Sequence, residues 1–183
     1  MTLTIGVDVG GTKVAAGVVD DRGRIVEKLR RPTPSTSPHE TAKVIAEVVD
    51  ILKGKFDEVE AVGLGAAGFV DESRSTVLFA PNLAWRDEPI KKKVESQVGL
   101  PVIVENDANA TAWGEAKFGA GRGEDHITLI TLGTGIGGGL IMDGELYRGR
   151  FGIGGEFGHF RQQWHGRIIH EKICEQKNVP SSK

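Results

Sequence analysis

The placement of glycine constrains this chain more than any other feature, because its 26 glycines are gathered rather than spread. They cluster at Gly10-Gly11, Gly63 to Gly68, Gly133 to Gly139 and Gly149 to Gly158, each time beside an apolar run. A flexible linker would scatter glycine among serines. Here it marks places where the chain turns sharply or lets something approach its backbone. The flanking runs read as strands: Leu3 to Val9 and Val14 to Asp20 are apolar and β-branched, and Asp21-Arg22-Gly23 turns the chain into Ile25 to Arg30. Three antiparallel strands follow from that pattern.

Helix and strand then alternate. Ser37, Pro38 and Glu40 supply a capping serine, a proline for the first helical turn and a capping-box glutamate, which predicts a helix over Pro38 to Leu52. Val59 to Leu64 reads as a buried strand. Asp87 with Pro89 opens a second helix that ends near Gly99, Pro101 to Glu105 forms a strand, and Asn106 to Phe118 a helix stopped by Gly119. Residues 1–118 are therefore expected to make one α/β lobe. A second lobe starts over 119–160, where His126 to Leu132 and Gly138 to Met142 read as a hairpin hinged on Thr134-Gly135. Residues 161–183 form an atypical tail, poor in glycine and basic, with Ile168 to Lys177 patterned as a short amphipathic helix.

With 39% hydrophobic and 26% charged residues the chain has the composition of a globular protein. A net charge of −2 provides no general field for nucleic acid or a membrane surface, so neither is expected as a partner. No apolar run approaches the ~20 residues of a membrane span and the first residues lack a signal-peptide pattern, which predicts a cytoplasmic protein. The lone Cys174 excludes an internal disulfide.

Three segments carry chemistry. In Gly6-Val7-Asp8-Val9-Gly10-Gly11-Thr12-Lys13 an acid ends a strand, two glycines make the turn, and a hydroxyl and an ammonium follow. Glycine N–H groups can approach phosphate oxygens there, with Thr12 and Lys13 addressing the phosphates and Asp8 holding magnesium through water. An ordinary hairpin turn is the alternative. The loop Gly133-Thr134-Gly135 with Gly137 and Gly138 carries more glycine than a hairpin needs, which suggests a backbone lying against a ligand. In Glu105-Asn106-Asp107-Ala108-Asn109 a strand gives way to a helix. Asp107 is placed to take a proton from a hydroxyl that attacks a phosphate, although helix capping accounts for one of the polar residues.

Six segments, Gly6 to Lys13, Gly63 to Asp71, Pro81-Asn82-Leu83-Ala84-Trp85, Glu105 to Asn109, Leu132 to Gly139 and Gly155-Glu156-Phe157-Gly158-His159, together resemble the ordered motifs of the ROK-family glucokinases. The resemblance covers residues 1 to about 160. It implies an actin-like ATPase, ribonuclease H-like α/β fold with the first lobe nearly complete and the second truncated. It also implies an ATP:hexose phosphotransferase that phosphorylates glucose at its 6-hydroxyl with ATP and magnesium. Asp107 would be the base, Asn106, Glu156 and His159 would hold sugar hydroxyls, and Asn82 would lie near the sugar. Gly10, Gly11, Thr12 and Lys13 would face Gly133, Thr134, Gly135, Gly137 and Gly138 across the phosphates. Kinases of N-acetylmannosamine or another hexose, and non-catalytic sugar-sensing relatives, are the alternatives the family offers. A homo-oligomer is expected for the complete protein. In the family the histidine matching His159 joins a cysteine cluster in a structural zinc site. Here Phe160-Arg161-Gln162-Gln163-Trp164-His165 follows instead, and no zinc is expected, since Cys174 cannot replace three thiolates. The tail is read as a truncation or reading-frame product.

Overall fold

The computed structural model describes residues 2–133 and 135–159. Its largest element is a five-stranded sheet in the order β3-β2-β1-β4-β8, formed by β1 (Leu3–Val9), β2 (Lys13–Asp20), β3 (Ile25–Pro32), β4 (Val59–Ala66) and β8 (Val102–Asn106). β1, β2 and β3 pair antiparallel, as the tight turns require, whereas β4 and β8 run parallel to β1 because helices return the chain. Strict alternation in β1 buries Leu3, Ile5, Val7 and Val9 on one face. That face packs on α1 (Pro38–Lys53) and α2 (Ile90–Val98), through Ile45, Val48, Val49, Leu52, Ile90 and Val94. Full burial of each such side chain stabilises the fold by about 1.5–3 kcal/mol. α1 starts as the sequence predicts, with the Ser37 side chain accepting from the Glu40 N–H at 3.3 Å.

The opposite face of the sheet is unusual. Gly17, Gly6 and Gly63 stand side by side on β2, β1 and β4, and a Cβ at Gly6 or Gly63 would meet nothing within 4 Å. An open cleft of about 890 Å³ lies over this stripe and reaches Asp8, Asp107, Trp113 and Leu146. Trp113 is therefore a cleft-wall residue, with Lys117 Nζ 4.0 Å from its ring centroid, and Trp85 is a core residue with no exposure.

Between β4 and α2 the chain forms a small antiparallel sheet, β5 (Phe69–Val70), β6 (Val77–Phe79) and β7 (Arg86–Glu88), which the sequence pattern did not predict. Asp87 belongs to β7, with φ of 48°, and does not open α2, whose N-cap position is Pro89. The sheet is held by its own polar chemistry. Arg86 stacks over Phe79 at 4.0 Å and its Nη1 donates to the Trp85 carbonyl at 2.6 Å.

α3 (Asp107–Phe118) joins this region to a third sheet, β11-β10-β9, made of β9 (Ile127–Leu132), β10 (Ile136–Met142) and β11 (Glu145–Tyr147). On the side of that sheet away from α3, Ile130 is 58% and Leu132 75% exposed among the described residues. A 3-10 turn over Phe157–His159 ends the described chain, and residues 161–183 lie outside it. Among the described residues no helix is long and apolar enough to cross a membrane.

The turn after β5 is organised by one carboxylate. Burial would raise Asp71, but the Ser73 and Ser75 hydroxyls and the Ser75 and Thr76 N–H groups donate to it and hold its pKa at about 2. A depressed carboxylate contributes stability above its unfolded value of about 3.9, and this is lost as pH falls through the folded value. Asp71→Asn is thus expected to lower the denaturation midpoint at pH 7 and to make little difference at pH 2, read by urea titration at both values.

Candidate active site

The turn from β1 to β2 is fixed before any ligand arrives. The Gly10 N–H donates to the Lys13 carbonyl at 3.0 Å, the Thr33 hydroxyl donates to the Gly10 carbonyl at 2.8 Å, and the Thr33 N–H donates to the Thr12 carbonyl at 3.1 Å. Thr33 was not singled out from the sequence, since a threonine in a proline-rich loop carries no distinguishing pattern. A Cβ at Gly11 would stand 2.8 Å from the Asn82 carbonyl oxygen, so only glycine lets these two segments touch. The turn thus rests against Asn82 at Gly11, and the Asn82 segment is anchored in the core by Leu83 and Trp85.

The second component is the junction of β8 and α3. Asn106 is the N-cap: its Oδ1 accepts from the Asn109 N–H at 3.0 Å, and its Nδ2 donates to the Gly68 carbonyl at 3.1 Å. The capping alternative is therefore true of Asn106 and leaves Asp107 free for other work. Asp107 Oδ1 accepts from the Ala108 N–H at 3.0 Å. Burial raises the Asp107 carboxyl above the ordinary range, the Ala108 hydrogen bond opposes this, and the charge of Asp8 raises it further. Asp8 is itself raised by burial and lowered by Lys13. Two carboxylates sharing one cleft, with Lys13 beside Asp8, leave negative charge that a divalent cation would neutralise.

The glycines of the second loop divide by environment. Gly137 and Gly138 lie inside β10 rather than at its turn. A Cβ on Gly137 would stand 3.0 Å from the Ala108 Cβ, one on Gly139 would stand 2.6 Å from the Ala112 Cβ, and one on Gly138 would strike the Phe157 ring. Close packing against α3 and Phe157 therefore gives Gly137, Gly138 and Gly139 a reason to be glycine in the chain's own packing. Gly133 differs, with nothing within 4 Å of its Cβ position, and its N–H donates to the Gly135 carbonyl at 3.0 Å. Thr134 lies outside the described residues. Phe157 packs on the face of β10 opposite Ala108, and Glu156 beside it is half-buried. For His159 only the backbone is described, and His165, His170 and Cys174 are outside the described residues. Among the described residues no group of three His, Cys, Asp or Glu side chains forms a metal cage.

Residues 4–176 match the ROK family. The chain belongs to that family. It is 58% identical to a glucokinase of Streptomyces coelicolor over 88% of its own length and 50% of the relative's. It is 43% identical to a glucokinase of Thermotoga maritima over 85% of this chain and 49% of that one. Among solved structures, a ROK family glucokinase from Streptomyces griseus in complex with glucose and AMPPNP superposes with a TM-score of 0.82 at 58% identity, covering 88% of this chain and 51% of that one. These relatives give the chain the actin-like ATPase fold, and it spans about half of their length.

Two measurements check this geometry. Gly139→Ala is expected to destabilise the chain by about 1–3 kcal/mol through overpacking, whereas Gly133→Ala changes stability by less than about 0.5 kcal/mol because its side chain meets nothing. A raised carboxyl favours the neutral form on folding, so the stability it contributes below its unfolded pKa is lost as pH rises. Asp107→Asn is accordingly expected to raise the melting temperature at neutral pH, with the advantage gone below about pH 4.

Proposed function

We propose that this chain carries the sugar-binding and phosphate-binding half of an ATP-dependent glucokinase. The observation that carries the proposal is the meeting of Asp8 and Asp107 in one cleft, with the Lys13 ammonium close enough to Asp8 to act on its carboxyl. A carboxylate at a strand–helix junction, its proton affinity raised by burial and not locked in an ion pair, suits a general base. The relatives named as glucokinases, and the neighbour that holds glucose and AMPPNP, support glucose and ATP as the substrates.

In the reaction, Asp107 accepts the proton of the glucose 6-hydroxyl as that oxygen bonds to the γ-phosphorus of ATP. The bond from that phosphorus to the β,γ-bridging oxygen breaks, its electron pair stays with ADP, and the products are glucose 6-phosphate and protonated Asp107. Asn106 and Glu156 orient the sugar hydroxyls with His159, and Asn82 borders them next to Gly11. Lys13, Thr12 and the sterically uncrowded Gly133 face the phosphates. Asp8 is the residue suited to hold magnesium through water, and the ion supplies neutralisation of phosphate charge when bound. Because the pKa of Asp107 is raised, the ionised base is lost at a higher pH than for a solvated carboxyl.

The test is phosphate transfer from ATP to glucose by the chain. Asp107→Asn is expected to leave the fold intact and to lower kcat by at least about 10²-fold. The acid limb of the unsubstituted chain's pH profile should lie above about 3.9, the ordinary aspartate value. A variant with undiminished turnover would remove Asp107 from the role of base.

A further inference from the structure

Two residues before Asp107, Glu105 is a carboxylate only 8% exposed. A buried charge persists only with partners, and those partners reach across the molecule. Arg148, which follows β11, brings its Nε to 2.9 Å from Glu105 Oε2 and 3.2 Å from Oε1. The rest of its guanidinium is engaged too: Nη1 donates to the Glu72 carbonyl and Nη2 to the Asp71 carbonyl, both at 3.0 Å. Arg74 Nε stands 3.2 Å from Glu105 Oε2 on the other side. Oε2 is held by charge rather than by a directed hydrogen bond, while Oε1 also accepts from the Asn106 N–H at 2.9 Å and Asn109 Nδ2 at 3.2 Å.

The same residue fixes a second segment through its backbone. The Arg148 carbonyl accepts from the Gly154 N–H at 2.8 Å, which starts the approach to Glu156. A Cβ at Gly152 in that loop would stand 2.6 Å from the Val70 carbonyl oxygen, so the loop lies directly on the turn that the guanidinium grips.

The geometry points to Arg148 as a positioning residue that sets the β8–α3 junction, with Asn106 and Asp107, and the loop bearing Glu156 in a single register. It acts through Glu105 on one side and through Asp71, Glu72 and Gly154 on the other. This rests on the reading of Asp107 as base, because the register matters to the reaction only if the junction and the loop grip one sugar. A planar fork whose three nitrogens all donate, to Glu105 on one segment and to Asp71 and Glu72 on another, cannot be replaced by a lysine, which offers a point charge.

The experiment uses the full chain with Arg148→Met, Arg148→Lys, Glu105→Gln and the Glu105→Gln/Arg148→Met pair. Amide hydrogen exchange is followed at 106–109, at 152–157 and in α1. Arg148→Met should speed exchange at least about 10-fold at both of the first two segments and leave α1 unchanged. Arg148→Lys should fall between the two, and the paired variant should be no worse than Arg148→Met alone, since both changes break one interaction. In glucose phosphorylation kcat should fall by about 10²-fold with a smaller change in KM, the pattern of displaced reacting groups rather than lost folding. Loosening of one segment only, or uniform loosening that includes α1, would overturn the assignment, as would an unchanged kcat at temperatures where the variant is folded. If the unsubstituted chain transfers no phosphate, the kinase reading fails on that result, and exchange alone decides the role of Arg148.

Discussion

The structure depends on one close approach: α3 is pressed against sheets on two sides, and it fits because glycine lines both contacts. On the first sheet a Cβ at Gly65 would stand 3.9 Å from the Ala110 Cβ and the Asp107 Cα, and on the third sheet Gly137 and Gly139 receive Ala108 and Ala112. Small residues on the helix and none on the strands bring backbones together. The first turn of α3, which follows Asn106 and begins with Asp107, is thereby held between β4 of the first sheet and β10 of the third. A helix with larger residues at 108 and 112 would stand off the third sheet.

Electrostatics works on top of that packing. Asp8 and Asp107 repel each other in a shared cleft, and both are raised by burial, so the free chain carries a local destabilisation. Glu105 is the opposite case, a buried carboxylate fully engaged by Arg74, Arg148 and the α3 entry. The two neighbouring carboxylates thus divide into one that is anchored and one that is kept available. That division is expected where a rigid support carries a reactive group.

Much of the first sheet and of the helices was legible because local signals are strong there. The Ser37-Pro38-Glu40 cap, the Gly23 turn with φ of 76° and the alternation in β1 each act within a few residues. β5, β6 and β7 were not legible, since three short strands are fixed by pairs such as Val77 with Glu88, far from any hydrophobic period. The motif at Gly133 to Gly139 showed that close approach occurs there, but sequence alone does not distinguish a ligand from a helix as the thing approached. Arg148 lies 43 residues from Glu105 and gave no signal of its own. A buried strand-end glutamate does demand a cation, which is the one hint the sequence held.

The central claim is that the half of the fold present here already builds a sugar site around Asp107. Thermal melting of the chain with excess glucose, set against the same concentration of an open-chain polyol, tests it most directly. A site present only in the folded state predicts a higher melting temperature with glucose than with the polyol. Cooperative melting at one temperature in both solutions would contradict it.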